Sequence, residues 1–244
     1  MPNINIARYF PEAEIIVNMS AEDLAIPMLK ALRVYDSSFR HFEAIMLPGN
    51  FQPGEHKRTI LMLMTEAFEV LKSLRFVVPC PPDLHDYVSP DSIRYIVSYS
   101  GKEVDLDTEF SQSLHASVLH EDLIHPAIKI RAYPTFLRGD YETAVLLAMK
   151  KIEVSVREAS KQEATLVGVN LMRKAFRSES NLIPDDMISA ERQALCELFS
   201  GAMGYLRNST GHRDIDVDCQ ESARVLCFAS FLLTTLDKLV SEIS

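Results

Sequence analysis

An arginine and a histidine lie close together in the stretch LRNSTGHR, residues 206–213. A guanidinium can hold two phosphate oxygens at once, and an imidazole can take or give a proton at neutral pH. Arg207 and His212 could therefore act together on a phosphate ester. A structural explanation is also available, because cations favour helix C termini and the run Asn-Ser-Thr-Gly suits the end of a helix. The spacing alone leaves both explanations open.

The sequence on either side of this pair predicts helices, which would hold the two side chains in position. We expect a helix over residues 126–137 that begins at Pro126 and is bent by Pro134. Four more helices are predicted. The first begins at Tyr141, the second spans residues 166–176 and the third ends near Arg207. The fourth begins at Asp218, with Glu221 as its capping partner. Residues 116–244 should therefore form an antiparallel helical bundle.

Apolar residues at three-and-four spacing define the buried faces of three of these helices. The faces consist of Tyr141, Ala144, Val145, Ala148, Met149, Ile152 and Val156, then Leu195, Leu198, Phe199, Ala202, Met203 and Leu206, then Leu226, Leu233, Leu236 and Val240. Arg207 follows the last apolar position of the middle helix directly. That helix is predicted to end within the Asn-Ser-Thr-Gly run.

Residues 1–115 show a mixed α+β pattern. Pro and Gly separate short elements, with helices predicted over residues 21–34 and about 57–74. The segments FVVPCPPD and IRYIVSYSGKEVDL place β-branched and aromatic residues around turn signals, which predicts a small strand pair. The chain as a whole is predicted to be mainly α, with a smaller α+β region preceding the bundle.

Composition limits the classes of function. The 25 Lys and Arg residues against 34 Asp and Glu residues give a net charge of −9, which argues against coating nucleic acid indifferently but allows a local cationic pocket. The four cysteines and seven histidines show no zinc-ligand spacing, so neither a metal nor a cofactor is expected. No leader or membrane-spanning run is evident, which predicts a cytoplasmic protein with reduced thiols and no membrane association.

The segment GAMGYLRNSTGH resembles the R-x(4–6)-H signature of the HEPN superfamily, a group of all-helical domains that includes RNA-cleaving toxins and antiviral effectors. The surrounding segments resemble the C-terminal domain of the Ymh-like prokaryotic family assigned to HEPN; they are IHPAIKIRAYPTFLRGDYETAVLLAMKKIEVSVRE, VGVNLMRKAF, LCELFSGAMGYLRNSTGH and VLCFASFLLTTLDKL. Two departures stand out. Pro134 is unusual in the first helix, and no tyrosine follows His212, so control by an adenylylating antitoxin that uses H-x-Y is not expected.

The resemblance implies a metal-independent endoribonuclease that acts in antiviral defence or as a toxin. Two protomers would pair so that both motifs line one cleft, with RNA as substrate and an antitoxin or defence protein as a possible partner. Arg207 would stabilise charge on the phosphorane and His212 would transfer the proton. Asn208 would hydrogen-bond the phosphate or fix the histidine. The 2′-hydroxyl of RNA would attack, leaving a cyclic 2′,3′-phosphate and a 5′-hydroxyl.

Further polar residues are candidates for substrate contacts. In related domains an acidic residue on the second helix approaches the motif, which makes Glu153 a candidate; the alternative is a solvated i, i+4 pair with Arg157. The remaining candidates for positive potential along an RNA cleft are Lys150, Arg157 and Arg213, together with Arg173, Lys174 and Arg177. For His125, Tyr141, Gly201 and Gly204 we expect roles in packing, with Tyr141 in the core or at a dimer interface and the two glycines allowing close approach.

Two other functions remain open. The helix ending in LKSLRFVVPCPPD and the segment IRYIVSYSGKEV resemble a winged-helix module, so the chain could be a nucleic-acid-binding regulator dimerised by the bundle. That helix carries Lys57, Arg58, Lys72 and Arg75 among several glutamates, a poor footprint for phosphates. The other alternative is a HEPN fold without catalysis that serves as a scaffold or ligand-binding module.

Overall fold

The structure is a computed structural model that describes residues 9–35, 56–81, 95–177, 182–184, 186–207 and 217–243. The chain divides into two compact units, Met1–Ser117 and Val118–Ser244. Each unit has its own hydrophobic core. Within the described residues, no helix combines the length and the apolar character needed to cross a membrane. All four cysteines are free thiols.

The first unit combines helices with one pair of antiparallel strands. Its elements are α1 (Ala13–Ile16), α2 (Ala21–Tyr35), α3 (Lys57–Ser73), β1 (Val77–Pro79), β2 (Tyr95–Val97), α4 (Tyr99–Glu103) and α5 (Glu109–Val118). Val77 pairs with Val97 and Pro79 with Tyr95. The predicted helices over residues 21–34 and 57–74 and the predicted strand pair are therefore confirmed.

Helices α2 and α3 pack against each other and supply most of the first core. Their apolar positions recur at three-and-four spacing, so each helix buries one face. The buried side chains on the two faces include Leu24, Met28 and Leu32 from α2 and Ile60, Met64, Phe68 and Leu71 from α3. The ring of Phe68 meets the ring of Tyr95 edge-on, with the centroids 5.2 Å apart, which joins α3 to the strand pair.

The strand prediction fails after Val97, where the segment YSGKE forms the short helix α4. Two features explain the difference. The Ser98 side chain caps the helix by accepting a hydrogen bond from the Gly101 N–H at 2.9 Å. Arg33 of α2 donates to the carbonyl oxygens of Gly101 and Val104. Helix α5 was not predicted, because Phe110 is its only buried residue and leaves no apolar stripe to recognise.

Gly101 is required by a close approach to the backbone that precedes β1. A Cβ atom at this position would lie 2.1 Å from the carbonyl oxygen of Phe76, which itself accepts the Ser98 N–H. We expect Gly101→Ala to destabilise the first unit by about 3 kcal/mol, because backbone atoms must move. Gly201→Ala is the control, since a Cβ there meets nothing within 4 Å, and it should be neutral or stabilise by about 1 kcal/mol. Calorimetric unfolding of both variants checks the difference, and equal transitions would contradict it.

One basic residue of α3, Lys72, interacts with neighbouring side chains of the first unit. The Lys72 ammonium lies 2.7 Å from Glu69 and 5.4 Å from the centre of the Tyr95 ring. Its hydrogen bond to Glu69 raises the pKa of Lys72, so the charge is engaged within the unit. The winged-helix resemblance stays a prediction.

The second unit is built from helices packed around a larger core. Its elements are a 3₁₀ turn (Glu121–Leu123), α6 (Pro126–Lys129), α7 (Ala132–Leu137), α8 (Tyr141–Ala159), α9 (Gly168–Ala175), α10 (Ser189–Ala202), a π-helical turn (Met203–Arg207) and α11 (Cys219–Glu242). Helix α8 packs against α7, α9 and α11. The structure confirms that this unit is a bundle of helices packed around one core.

The predicted helix over residues 126–137 is wrong, because it forms two helices that break at Ile130 and Arg131. Proline clashes with the carbonyl of the residue four positions earlier in a continuous helix. For Pro134 that residue is Ile130. A new helix that starts at Ala132 places the proline in its first turn, where the missing N–H costs nothing. The proline therefore separates two helices instead of bending one.

The later helices agree with the predicted apolar stripes. On α8 all the predicted positions are buried except Tyr141, which is partly buried and packs against the core. On α10 and its extension the fully enclosed residues are Phe199 and Met203. Asp218 caps α11 by accepting the Glu221 N–H at 2.7 Å. The prediction that α11 begins at Asp218 is therefore confirmed.

Candidate functional site

Helix α10 changes its winding just before the Arg-x4-His motif. The α-helix ends at Ala202, and residues Met203–Arg207 form a π-helical turn. Single π-turns are rare and are frequently found at functional sites. Arg207 is the last residue of this turn, and the structure describes its backbone. Asn208, His212 and Arg213 lie outside the described residues, so the geometry of the candidate site is built from the elements that lead to it.

The π-turn lies against the beginning of α9. A Cβ added to Gly204 would come within 3.4 Å of a methyl group of Val169. An added methyl group would be at ordinary van der Waals distance, so the π-turn packs against α9 at Gly204, in line with the predicted packing role, but does not require a glycine there. The same prediction is wrong for Gly201, where an added Cβ meets open space. The backbone that carries Arg207 is therefore held next to the first turn of α9.

Glu153 of α8 holds that first turn in place. Its carboxylate is buried, with 8% of the side chain exposed. The oxygen Oε2 accepts the backbone N–H of Gly168 at 2.8 Å. This is the first residue of α9, where an unpaired N–H and the positive end of the helix dipole both favour a carboxylate. Gly168 has a φ of 58°, a conformation that glycine adopts without strain.

Arg157 completes the network from one turn further along α8. Its Nη2 donates to Glu153 Oε1 at 3.0 Å. Both Nε and Nη2 also donate to the carbonyl oxygen of Leu166, at 3.2 Å and 3.1 Å. The guanidinium therefore fastens the connection between α8 and α9. The pair is not a solvated salt bridge, because only 18% of the Arg157 side chain and 8% of the Glu153 side chain are exposed.

These contacts form a continuous path from α8 to the motif. Glu153 fixes Gly168, Val169 follows Gly168 in the same helical turn, and Val169 contacts the position of Gly204. Arg207 ends the π-turn that contains Gly204. Each step is short, so a shift of the Glu153 carboxylate would move the surface against which Gly204 packs.

The other predicted cations lie elsewhere. Lys150 is exposed and lines a cleft with Arg131 and Lys151. Three more exposed cations, Arg173, Lys174 and Arg177, lie in the last turn of α9 or just beyond it. The far end of α9 is roughly 10 Å from Gly168 at the α-helical rise. The structure thus brings Glu153 and Arg157 to the start of α9 but does not bring these cations to the same end of α9.

His125 has the packing role that we expected. It caps α6, with Nδ1 accepting the Ala127 N–H at 3.2 Å, while Nε2 lies 2.9 Å from Asp237 Oδ2. Its backbone N–H donates to Ser230 Oγ at 3.1 Å. Because Nδ1 is used by the backbone, the neutral ring carries its proton on Nε2. Both ring nitrogens are occupied in holding α6 against α11.

Tyr141 also belongs to the packing of the bundle. Its ring lies 5.6 Å from that of Phe136, measured between centroids. Burial, followed by its hydrogen bond with Cys219, raises the pKa of Tyr141 to about 12. The expected core role is therefore confirmed, and the phenol stays protonated at neutral pH.

Nothing in the described part of the chain forms a protein metal centre. No group of three or more His, Cys, Asp or Glu side chains among the described residues is arranged to hold a metal ion.

Of the two Glu153 contacts described above, the sequence predicted the pair with Arg157 but not the hydrogen bond from Gly168. The i, i+4 spacing identified the Glu153–Arg157 pair. The contact with Gly168 joins residues 15 positions apart, and no local pattern predicts it. One available signal was the glycine at the start of VGVN, because a glycine before a helix often marks a positive φ or a close contact.

Comparison with known proteins gives a family match for the helical bundle but no match that describes an activity. Comparison with curated proteins and with solved structures gave no match. A family model does match, and the matched residues begin in the 3₁₀ turn before α6 and end within α11. They include α8, α9, the π-turn and the Arg-x4-His motif. Over residues 122–236 the chain is thus similar to the family described as "Protein of unknown function (Hypoth_ymh)", in agreement with the Ymh-like resemblance of its sequence.

Proposed function

We propose that this protein is a metal-independent endoribonuclease of the HEPN type, with Arg207, Asn208 and His212 at its active site. The observation that carries the proposal is the π-helical turn Met203–Arg207, which ends α10 directly before the motif and rests on the start of α9. A helix end that only needs a cap does not require this change of winding. The match to the Ymh-like family over the same residues adds support.

The proposed reaction uses a nucleophile that RNA supplies. His212 accepts the proton of the 2′-hydroxyl, and the resulting oxygen attacks the adjacent phosphorus. Arg207 binds the non-bridging oxygens and stabilises the charge that develops on the phosphorane. The P–O5′ bond breaks, the departing 5′-oxygen receives a proton, and a cyclic 2′,3′-phosphate remains. Asn208 hydrogen-bonds the phosphate or orients His212. The formation of these products requires no oxidant, no cofactor and no attacking water molecule.

Glu153 is a positioning residue in this proposal. Both of its carboxylate oxygens are already engaged, one by Arg157 and one by the Gly168 N–H. A carboxylate with these two partners is poorly placed to bind a substrate phosphate of the same charge. Its role is to fix the first turn of α9, and through it the backbone that carries Arg207.

A second copy of the chain would complete the site. Tyr205 lies within the π-turn and is 74% exposed, and Val167, directly before α9, is 47% exposed. Large apolar side chains that are exposed on both contacting elements favour a covered surface. In a symmetric dimer the same patch from each protomer meets. The two Arg-x4-His motifs would then lie beside each other in one cleft.

Mixing two inactive variants tests the shared site. Arg207→Ala and His212→Ala protomers, each inactive alone, should recover measurable RNA cleavage after they are mixed and allowed to exchange subunits, because a mixed dimer holds one Arg207 and one His212 in the common cleft. The measurement is cleavage of a labelled RNA, with each variant alone as control. A mixture that exchanges subunits yet stays as inactive as its components would contradict a shared cleft, as would a strictly monomeric wild type that cleaves RNA.

A further inference from the structure

The second unit contains a cationic cleft on a different part of α8 from the Glu153 network. It lies between α6, α7 and α8 and has a volume of about 140 Å³. Arg131, Lys150 and Lys151 line it together with five aliphatic side chains, among them Ile128 and Leu147. Among the described residues no acidic side chain lines the cleft, so the charged groups that the structure shows there are all positive.

The break between α6 and α7 creates this arrangement. Arg131 lies at that break, at the start of α7. On α8 the lining residues are Leu147, Lys150, Lys151 and Val154, whose spacing of i, i+3, i+4 and i+7 places them on one helix face. An unbroken helix over residues 126–137 would have directed Arg131 differently, so the position of Pro134 is linked to the cleft.

None of the three cations has a counter-ion among the residues that the structure describes. Within the residues that the structure describes, none of them makes an ion pair or a side-chain hydrogen bond. Arg157, seven residues after Lys150 on α8, is by contrast fully engaged by Glu153 and Leu166. Three like charges around one concavity repel each other, and a bound anion would relieve that repulsion.

We infer that this cleft binds a phosphoryl group, held by Arg131, Lys150 and Lys151. The guanidinium can bind two phosphate oxygens and the two ammonium groups can neutralise the remaining charge. The volume limits the ligand, because pockets that enclose a drug-sized molecule measure about 300 to 1,000 Å³. A cleft of about 140 Å³ admits a phosphate but leaves any attached nucleoside outside. The group can belong to a nucleic-acid strand or to a free phosphate ion.

Binding of two probes to the full chain tests the inference. A fluorescent 2′-O-methyl RNA oligonucleotide presents phosphodiesters but has no free 2′-hydroxyl, so its binding does not depend on the proposed ribonuclease activity. Inorganic pyrophosphate presents phosphoryl groups alone. The test variant is Lys150→Ala/Lys151→Ala. Its matched control is Arg224→Ala/Lys238→Ala, which removes the same charge from exposed positions of α11 in the same unit.

For the phosphodiester probe we expect the test variant to bind roughly 10²-fold more weakly than the control, since each lost charge-assisted contact is worth about tenfold. The dependence of log K on log salt should fall by about 1.4, or about 0.7 for each lost contact to a single strand. A loss confined to pyrophosphate would also support the site and would identify a free phosphate as its ligand. Circular dichroism should show both variants folded. Equal affinities of the test variant and the control for both probes, or no binding of either probe by the wild type, would overturn the inference.

Discussion

His212→Ala should slow RNA cleavage by roughly 10²- to 10⁴-fold, the usual effect of losing a general acid or base. Arg207→Ala should cause a comparable loss, because the charge on the phosphorane loses its stabilising guanidinium. Arg207→Lys should remain impaired, since an ammonium keeps the charge but cannot bind two oxygens in a fixed geometry. Initial rates on a labelled RNA at saturating substrate measure these effects.

Folding must survive for those rates to be informative. Each alanine variant should lose no more than about 1 kcal/mol of stability, because the sequence predicts both residues at a helix end. His120→Ala is a suitable control: its side chain is 68% exposed beside Asp122 in the same unit, and its rate should equal that of the wild type. If His212→Ala cleaves RNA as fast as His120→Ala does, the proposed role of the imidazole is wrong.

The second large effect concerns stability. Arg157→Ala should destabilise the bundle by about 3 to 5 kcal/mol, because it leaves the buried Glu153 carboxylate without its cation. Glu153→Ala should cost about 3 kcal/mol, since it leaves the Gly168 N–H without its acceptor and removes the carboxylate that pairs with the Arg157 guanidinium. Urea unfolding followed by circular dichroism measures both, because the chain contains no tryptophan.

Three further variants distinguish the Glu153–Arg157 network from an ordinary surface charge. Glu158→Ala removes an exposed carboxylate from the same helix and should change stability by less than about 0.5 kcal/mol. Glu153→Gln keeps an acceptor for the Gly168 N–H and should lose less stability than Glu153→Ala. The double variant Glu153→Ala/Arg157→Ala should lose less than the sum of the single variants, because the two side chains interact directly. Additive losses, or a Glu153→Ala variant as stable as Glu158→Ala, would show that the network does not hold α9 in place.

The long helices were predictable because they repeat one simple pattern. The apolar stripe of α8, a helix of 19 residues, continues from Tyr141 to Val156, so few other structures fit it. The start of α11 was predictable for a different reason: Asp218 is a strong capping residue, and the cap needs only the N–H three positions later. Both features are local in sequence.

Features that depend on distant residues were not predictable in the same way. The helix α4 forms inside a β-like sequence because Ser98 caps it and Gly101 fits against Phe76. The cationic cleft requires Arg131 to face Lys150 and Lys151 across two helices. The burial of the Glu153–Arg157 pair depends on the connection at Leu166 folding over it. In each case the sequence shows the residue types, while tertiary packing decides which of them meet.

The candidate site also combines features that are local in sequence with features that depend on distant residues. Arg207 and His212 were found from residue type, spacing and resemblance. The π-turn that ends at Arg207 packs against Val169 at Gly204, a contact that no periodicity in α10 reveals. The contribution of Glu153 also changes once its two partners are known, from a candidate for substrate contact to a residue that positions α9.

The chemical ends of the RNA fragments test the central claim most directly. Purified protein should be incubated with total RNA and with tRNA, with and without EDTA, and the fragment ends identified by mass spectrometry. We expect cyclic 2′,3′-phosphate and 5′-hydroxyl ends, formed at the same rate in EDTA and not formed by His212→Ala. Fragments with 3′-hydroxyl and 5′-phosphate ends, or a requirement for added Mg²⁺, would contradict the mechanism, and a purified dimer that leaves every RNA intact would favour a scaffold instead.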